Sequence, residues 1–202
     1  MTSKFRMVDD LGLLAVDRGL GSCKHRSAGC AGCYNQKFFR RFPLVRQFWA
    51  KGGQDDQTWE SLTPSDFAAL RPGRVRLCTR GEPLSVASDV KRIAEWAKAA
   101  PHVTLWVPTR GWRNATIKRL AEEILFPLPN VKLLASVDRE TVGEADGLAA
   151  EGWSTMYFDP DDRAPQYSGR VVRCAKTWKG TKRACRSCSS GCFASGTPGW
   201  YG

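Results

Sequence analysis

The chain has 202 residues, 42% of them hydrophobic and 25% charged, which is enough apolar material for one substantial core. No apolar run approaches the roughly 20 residues of a bilayer-spanning helix, so no membrane partner is expected. The formal net charge of +11, from 31 Lys and Arg against 20 Asp and Glu, favours a polyanionic partner, nucleic acid above all.

In chain order, MTSKFRMVDDLGLL places two acids ahead of a very short apolar patch and makes a poor signal peptide. The expected compartment is a cytoplasm, where thiols stay reduced. GLLAVDRG (12–19) reads as a first strand leading into a cysteine group. QKFFRRFPLVRQFWAKG (36–52) reads as helical, with aromatic residues beside Arg40, Arg41 and Arg46. TPSDFAAL (63–70) has an N-capping Thr and Pro at the first helical position. RVRLC (74–78) is a short buried strand, followed by the turn TRGEP. In the segment LSVASDVKRIAEWAKAA, Val86, Val90, Ile93 and Ala97 follow a helical spacing. HVTLWVP (102–108) is the next strand; TRGW then leads to a helix with Ile117, Leu120 and Ile124 on one face. PNVKLLASVD (129–138) is another strand, RETVGEADGLAAEG a helix with Gly-rich ends, and STMYFDP (154–160) a further strand.

Strands recurring about every 25–28 residues with helices between them indicate βα units and a parallel sheet. The expected fold is α/β, a curved, partial (β/α) barrel occupying residues 1–162. From 163 to 202 the regular pattern gives way to a Gly-, Ser-, Lys- and Cys-rich tail, with eight basic residues and no acid from Arg163 onward. Such a tail lacks the apolar residues to pack alone, and a metal site would organise it. The pattern specifies no oligomeric state.

Three of the eight cysteines lie within 23–33 and four within 174–192, with Cys78 between. Each group contains a C-x2-C pair, which favours metal ligation over disulfides in a chain of this length. Cys23, Cys30 and Cys33 could hold three corners of a [4Fe–4S] cluster and leave one iron open. The alternative is a zinc site completed by His25, two residues from Cys23. Cys174, Cys185, Cys188 and Cys192 suit a closed four-thiolate site, either iron–sulfur or a zinc ribbon. Basic residues near such sites would offset thiolate charge, a second explanation for the net charge. Cys78, at a strand end, reads as a small buried apolar residue.

The C-terminal ends of parallel strands line the usual ligand crevice. Gly81 there permits close backbone approach and Glu82 can receive an amine; the plainer reading is a Gly-Pro turn with Glu82 capping the next helix. Arg80, Arg110 with Trp112, and Asp138 fall on the same rim, where Arg beside Trp could stack or bind phosphate. Trp178 and Trp200, in the basic tail, could stack on bases.

The set GSCKHRSAGCAGCYN, LCTRGEPLSVASDV, HVTLWVPTRGWR and NVKLLASVD, with the Cys174–Cys192 tail, resembles the phage gene-product-88 family. The early C-x6-C-x2-C-Y is similar to related phage proteins described as radical-SAM-like. The resemblance covers residues 12 to 193. It implies a radical-SAM-like α/β core, with a cluster on Cys23, Cys30 and Cys33 in the loop after the first strand. Gly81 and Glu82 would correspond to the segment that receives the amino group of S-adenosylmethionine. The usual triplet is C-x3-C-x2-C, whereas here the first gap is six, and about four βα units stand where the common barrel has six.

Two functions follow as expectations. One is a phage-encoded iron–sulfur protein, in the host cytoplasm, with redox or S-adenosylmethionine-dependent radical chemistry. The other is a non-catalytic nucleic-acid-binding protein with structural zinc or iron–sulfur sites, its tail contacting phosphates through Lys176, Lys179, Lys182, Arg183 and Arg186.

Overall fold

In the computed structural model, residues 4–9, 12–27, 30, 33, 39–50, 53–157, 171–172 and 200–201 are described. They build one mixed α/β sheet. Strand β1 (Arg6–Val8) pairs antiparallel with β2 (Leu13–Val16), which is followed in strict chain order by parallel β3 (Gly73–Leu77), β4 (Val103–Thr109), β5 (Val131–Val137) and β6 (Ser154–Tyr157). Two short strands, β7 (Val171–Val172) and β8 (Trp200–Tyr201), continue the sheet past β6, with β8 innermost. The sheet is open: among the described residues β1 pairs with β2 alone and β7 with β8 alone.

Alternation along each strand sorts the side chains onto two faces. Val16, Val75, Leu77, Val103, Leu105, Val107, Val131, Leu133, Ala135 and Val137 face the helices and form the main core. On the other face the register aligns Ala15, Arg76, Trp106 and Lys132. There the Arg76 guanidinium lies 4.6 Å from the Trp106 ring centroid. Near-continuous burial of β4 and β5 is the mark of a parallel sheet covered on both sides.

The helices are α1 (Pro43–Ala50), α2 (Gly53–Ser61), α3 (Pro64–Ala68), α4 (Ala87–Ala99), α5 (Ala115–Ile124) and α6 (Ala145–Ala150). Thr63 caps α3 as expected: its hydroxyl accepts from the Asp66 amide, and Asp66 accepts from the Thr63 amide at 2.8 Å. Asn114 caps α5 by accepting from the Ile117 amide at 3.1 Å. Val90, Ile93 and Ala97 of α4 are buried, as their spacing requires.

Three expectations change. The helical reading of 36–52 is broken at one point: residues 39–41 are helical and helix resumes as α1 from Pro43, because a residue before proline avoids helical backbone and Phe42 therefore interrupts. The helix expected over 139–152 is a 3-10 turn at Val142–Glu144 and the two-turn α6. Helix α2 has no counterpart in the sequence reading. Trp59 is its one buried apolar side chain, so no period marks it. The tail cysteines Cys174, Cys185, Cys188 and Cys192, and the boundary at 162/163, lie outside the described residues.

An aromatic cluster clamps α2, α3 and α4 to the N-terminal segment. Trp96 packs edge-on to Trp59 with centroids 5.1 Å apart and stacks on Phe67 at 4.7 Å; Phe67 meets Phe5 at 5.1 Å. Replacing Trp96 with Ala should lower stability by about 3–5 kcal/mol, read from urea unfolding followed by circular dichroism. A loss below about 1 kcal/mol would show that the cluster does not hold these helices.

Candidate functional site

The four central parallel strands end in one recurring phrase. Asp17-Arg18-Gly19 follows β2, Thr79-Arg80-Gly81 follows β3, Thr109-Arg110-Gly111 closes β4, and Asp138-Arg139 follows β5. All therefore lie on the C-terminal rim of the sheet. Asp17 Oδ1 accepts from the Thr79 amide and hydroxyl, both at 2.7 Å, and from the Arg80 amide at 3.0 Å. Its Oδ2 takes the Arg6 guanidinium at 2.7 Å and Arg80 Nε at 3.3 Å. Glu82 repeats the grip one strand along: Oε1 accepts from the Thr109 hydroxyl, Oε2 from the Arg110 amide at 2.9 Å. Oε1 also accepts from the Leu84 amide at 3.1 Å.

The third carboxylate, Asp138, is 1% exposed. Its Oδ2 accepts from Arg110 Nη1 at 2.7 Å and from the Ser27 hydroxyl, and its Oδ1 from Thr141 and the Glu140 amide, each at 3.1 Å. Burial alone would raise its pKa; the bonds from Ser27 and Arg110 outweigh that and hold it at about 2. Glu82 ends on the other side of the balance. Burial pushes its pKa up, against the hydrogen bonds from Thr109, Arg110 and Leu84.

The cysteine segment lies on this rim. His25 Nε2 is 3.2 Å from the Ser85 carbonyl, and the Arg113 guanidinium donates to the Arg26 carbonyl. Ser22 Oγ accepts from the Glu82 amide at 2.9 Å. Ser27 joins Arg110 and Asp138, with its oxygen 3.9 Å from Cys30 Sγ. Gly81, at φ +84°, makes this seating possible: a Cβ there would stand 2.7 Å from the Arg18 carbonyl and 2.8 Å from Ser22 Oγ.

Cys23, Cys30 and Cys33 are partly exposed free thiols, and Cys78 is a buried one. The Cys23 pKa is pushed up to about 11, by burial first and then by Glu82, with Cys30 and Cys33 adding to it and Arg26 opposing. Among the described residues no group of three or more His, Cys, Asp or Glu side chains is gathered to hold a metal ion. The donor chemistry does fit a thiophilic centre. Cys30 and Cys33 stand near enough to Cys23 to make its ionisation harder, and a shared cation would reverse that sign. Burial drives the Cys78 pKa up still further, and its backbone is left-handed at φ 63°. It packs as the small apolar residue expected of it.

Of the residues singled out in the sequence, Glu82, Arg110 and Asp138 are drawn into one network with the cysteine loop. Gly81 receives the chain's own residues 18–22. Trp112 is 4% exposed and donates to the Ser136 carbonyl at 3.1 Å, which makes it core rather than a stacking surface. The sequence reading missed Asp17 and Ser27; the repeated [Asp/Thr]-Arg phrase is the signal that marks Asp17, whereas nothing local marks Ser27. Comparisons of the chain with protein-family models, with curated proteins and with solved structures return no match.

Because the folded Asp138 pKa is depressed from 3.8, its contribution to stability is fully present above about pH 4. It is lost as pH falls through about 2, and is worth about 2 kcal/mol. Urea unfolding of wild type and Asp138→Asn should therefore differ at pH 6 and converge near pH 2. A difference that does not depend on pH would refute the ion pair as its source.

Proposed function

We propose that the chain is an iron–sulfur protein on a shortened, radical-SAM-like (β/α) barrel, with Cys23, Cys30 and Cys33 as cluster ligands. The observation that carries this reading is the seating of three free thiols on the C-terminal rim of a parallel sheet, in the loop after its first parallel strand. Strand order that follows chain order supports the barrel-like winding. A bound cluster supplies one-electron transfer. Arg26, whose Nε donates to the Cys23 carbonyl at 2.9 Å, offsets the charge of the ligands. Glu82 accepts three hydrogen bonds from the protein, which leaves one lone pair on Oε2 for the amine of S-adenosylmethionine. Cys174, Cys185, Cys188 and Cys192 are proposed as a second, closed site of iron–sulfur or zinc type.

A second reading, a nucleic-acid-binding protein with structural metal, has its own support. No acid occurs between Asp17 and Asp55, where the sequence carries eight Lys and Arg. Arg40, Arg41 and Arg46 are exposed beside Phe42 and Leu44, which are 43% and 79% exposed. The Arg41 guanidinium stands 5.6 Å from the Phe42 ring centroid. Charge interleaved with rings is how proteins track single strands.

Anaerobically prepared protein should be brown, with broad absorption near roughly 400 nm and bound iron and sulfide. Changing Cys23, Cys30 and Cys33 together to Ala should remove the iron of that site. Colourless protein with stoichiometric zinc would reject the iron–sulfur reading. Under the second reading, fluorescence anisotropy should show single-stranded oligonucleotides bound with strong salt dependence. The triple change Arg40→Glu, Arg41→Glu and Arg46→Glu should then flatten the log–log salt slope by about 2. Binding that is absent, or unaffected by salt, would exclude that reading.

A further inference from the structure

We infer that Ser27, Arg110 and Asp138 are positioning residues that set where the cysteine loop presents its sulfurs to a metal. The inference rests on the thiolate-centre reading above.

Arg110 and Asp138 come from the ends of the adjacent strands β4 and β5, the best-buried part of the sheet. Their side chains are 12% and 1% exposed and joined at 2.7 Å. A buried ion pair is tolerated when its remaining hydrogen-bonding groups are satisfied. Here Thr141 and the Glu140 amide complete Asp138, while Ser27 bonds to both partners. Ser27 is thus the cysteine loop's side-chain foothold on the two strands. It is also fixed by its backbone: the preceding Arg26 carbonyl accepts from Arg113, and its own carbonyl accepts from the Cys30 amide at 2.9 Å. The next turn follows from there, with the Cys33 amide donating to the Cys30 carbonyl at 3.2 Å. The placement of Cys30 and Cys33 therefore descends from Ser27, and that of Ser27 from the ion pair. Ser27 Oγ also stands 3.9 Å from Cys30 Sγ, the position of an outer group that orients a ligand.

The test is anaerobic loading of the full chain with ferrous iron and sulfide, and separately with zinc in competition with a chelator. It compares wild type, Ser27→Ala, Ser27→Thr and Arg110→Lys, with the thermal midpoint of each metal-free protein as control. Ser27→Ala and Arg110→Lys should weaken zinc affinity about 10–100-fold and lower iron per chain, by more than any fall in the metal-free midpoint accounts for. Ser27→Thr, which keeps the hydroxyl, should stay within about threefold of wild type. Wild-type affinity and spectrum in Ser27→Ala would overturn the inference while leaving the thiolate reading standing. So would a fall in metal-free stability that accounts for the whole loss, or failure of Ser27→Thr to rescue. A wild type that binds neither metal overturns both.

Discussion

Everything on the rim depends on one constraint: a carboxylate taken out of water must be met by enough donors to hold its charge. The chain meets it by a rule applied twice. Asp17, at the end of β2, takes the hydroxyl of Thr79 and the amide of Arg80; Glu82, in the loop after β3, takes the hydroxyl of Thr109 and the amide of Arg110. Each carboxylate thereby reads the Thr-Arg of the strand that follows. Asp138 closes the series in the opposite sense, reaching back to the Arg110 side chain. The parallel strands are thus fastened at their C-terminal ends as well as along their ladders. The fastening is directional, since a hydroxyl and an amide must both be aimed at one group.

Below the rim the sheet follows from ordinary packing. Apolar side chains alternate toward the helices, and Asn130 ties the end of α4 to β4 by donating to the carbonyls of Ala97, Ala100 and Val103, each at 3.0 Å. Arg18 joins the two levels. Its Nη1 reaches Asp89 at 2.8 Å, and Asp89 also accepts the Ser85 and Val86 amides at the start of α4. Its guanidinium lies 4.9 Å from the Trp59 ring centroid, so one side chain connects the rim, a helix N-terminus and the aromatic cluster.

How much of this was legible depended on whether the signal was periodic. The β2–β6 strands, α4 and α5 announce themselves because burial imposes a period of two or of 3.6. Thr63-Pro64 marks the start of α3 because capping needs those residue types at those places. Helix α2 offers only Trp59 to the core and has no period to read. At Glu82 the residue type was noticed, but its task was not decidable: a carboxylate that receives a ligand's amine and one that receives a neighbouring strand's amide look alike in one dimension. Ser27 was illegible for a stronger reason. Its partners Arg110 and Asp138 are 83 and 111 positions away, and nothing near Ser27 records them.

That separation has a consequence in time. Contacts between distant segments form only after the intervening chain has been made and ordered. A ribosome-bound chain that ends before β5 has the cysteine segment but no Asp138 to receive it. Ser22, His25 and Arg26 find their partners in the segments before β5, but Ser27 gains its carboxylate only when the fourth parallel strand joins the sheet. The rim network is thus complete only when the sheet is.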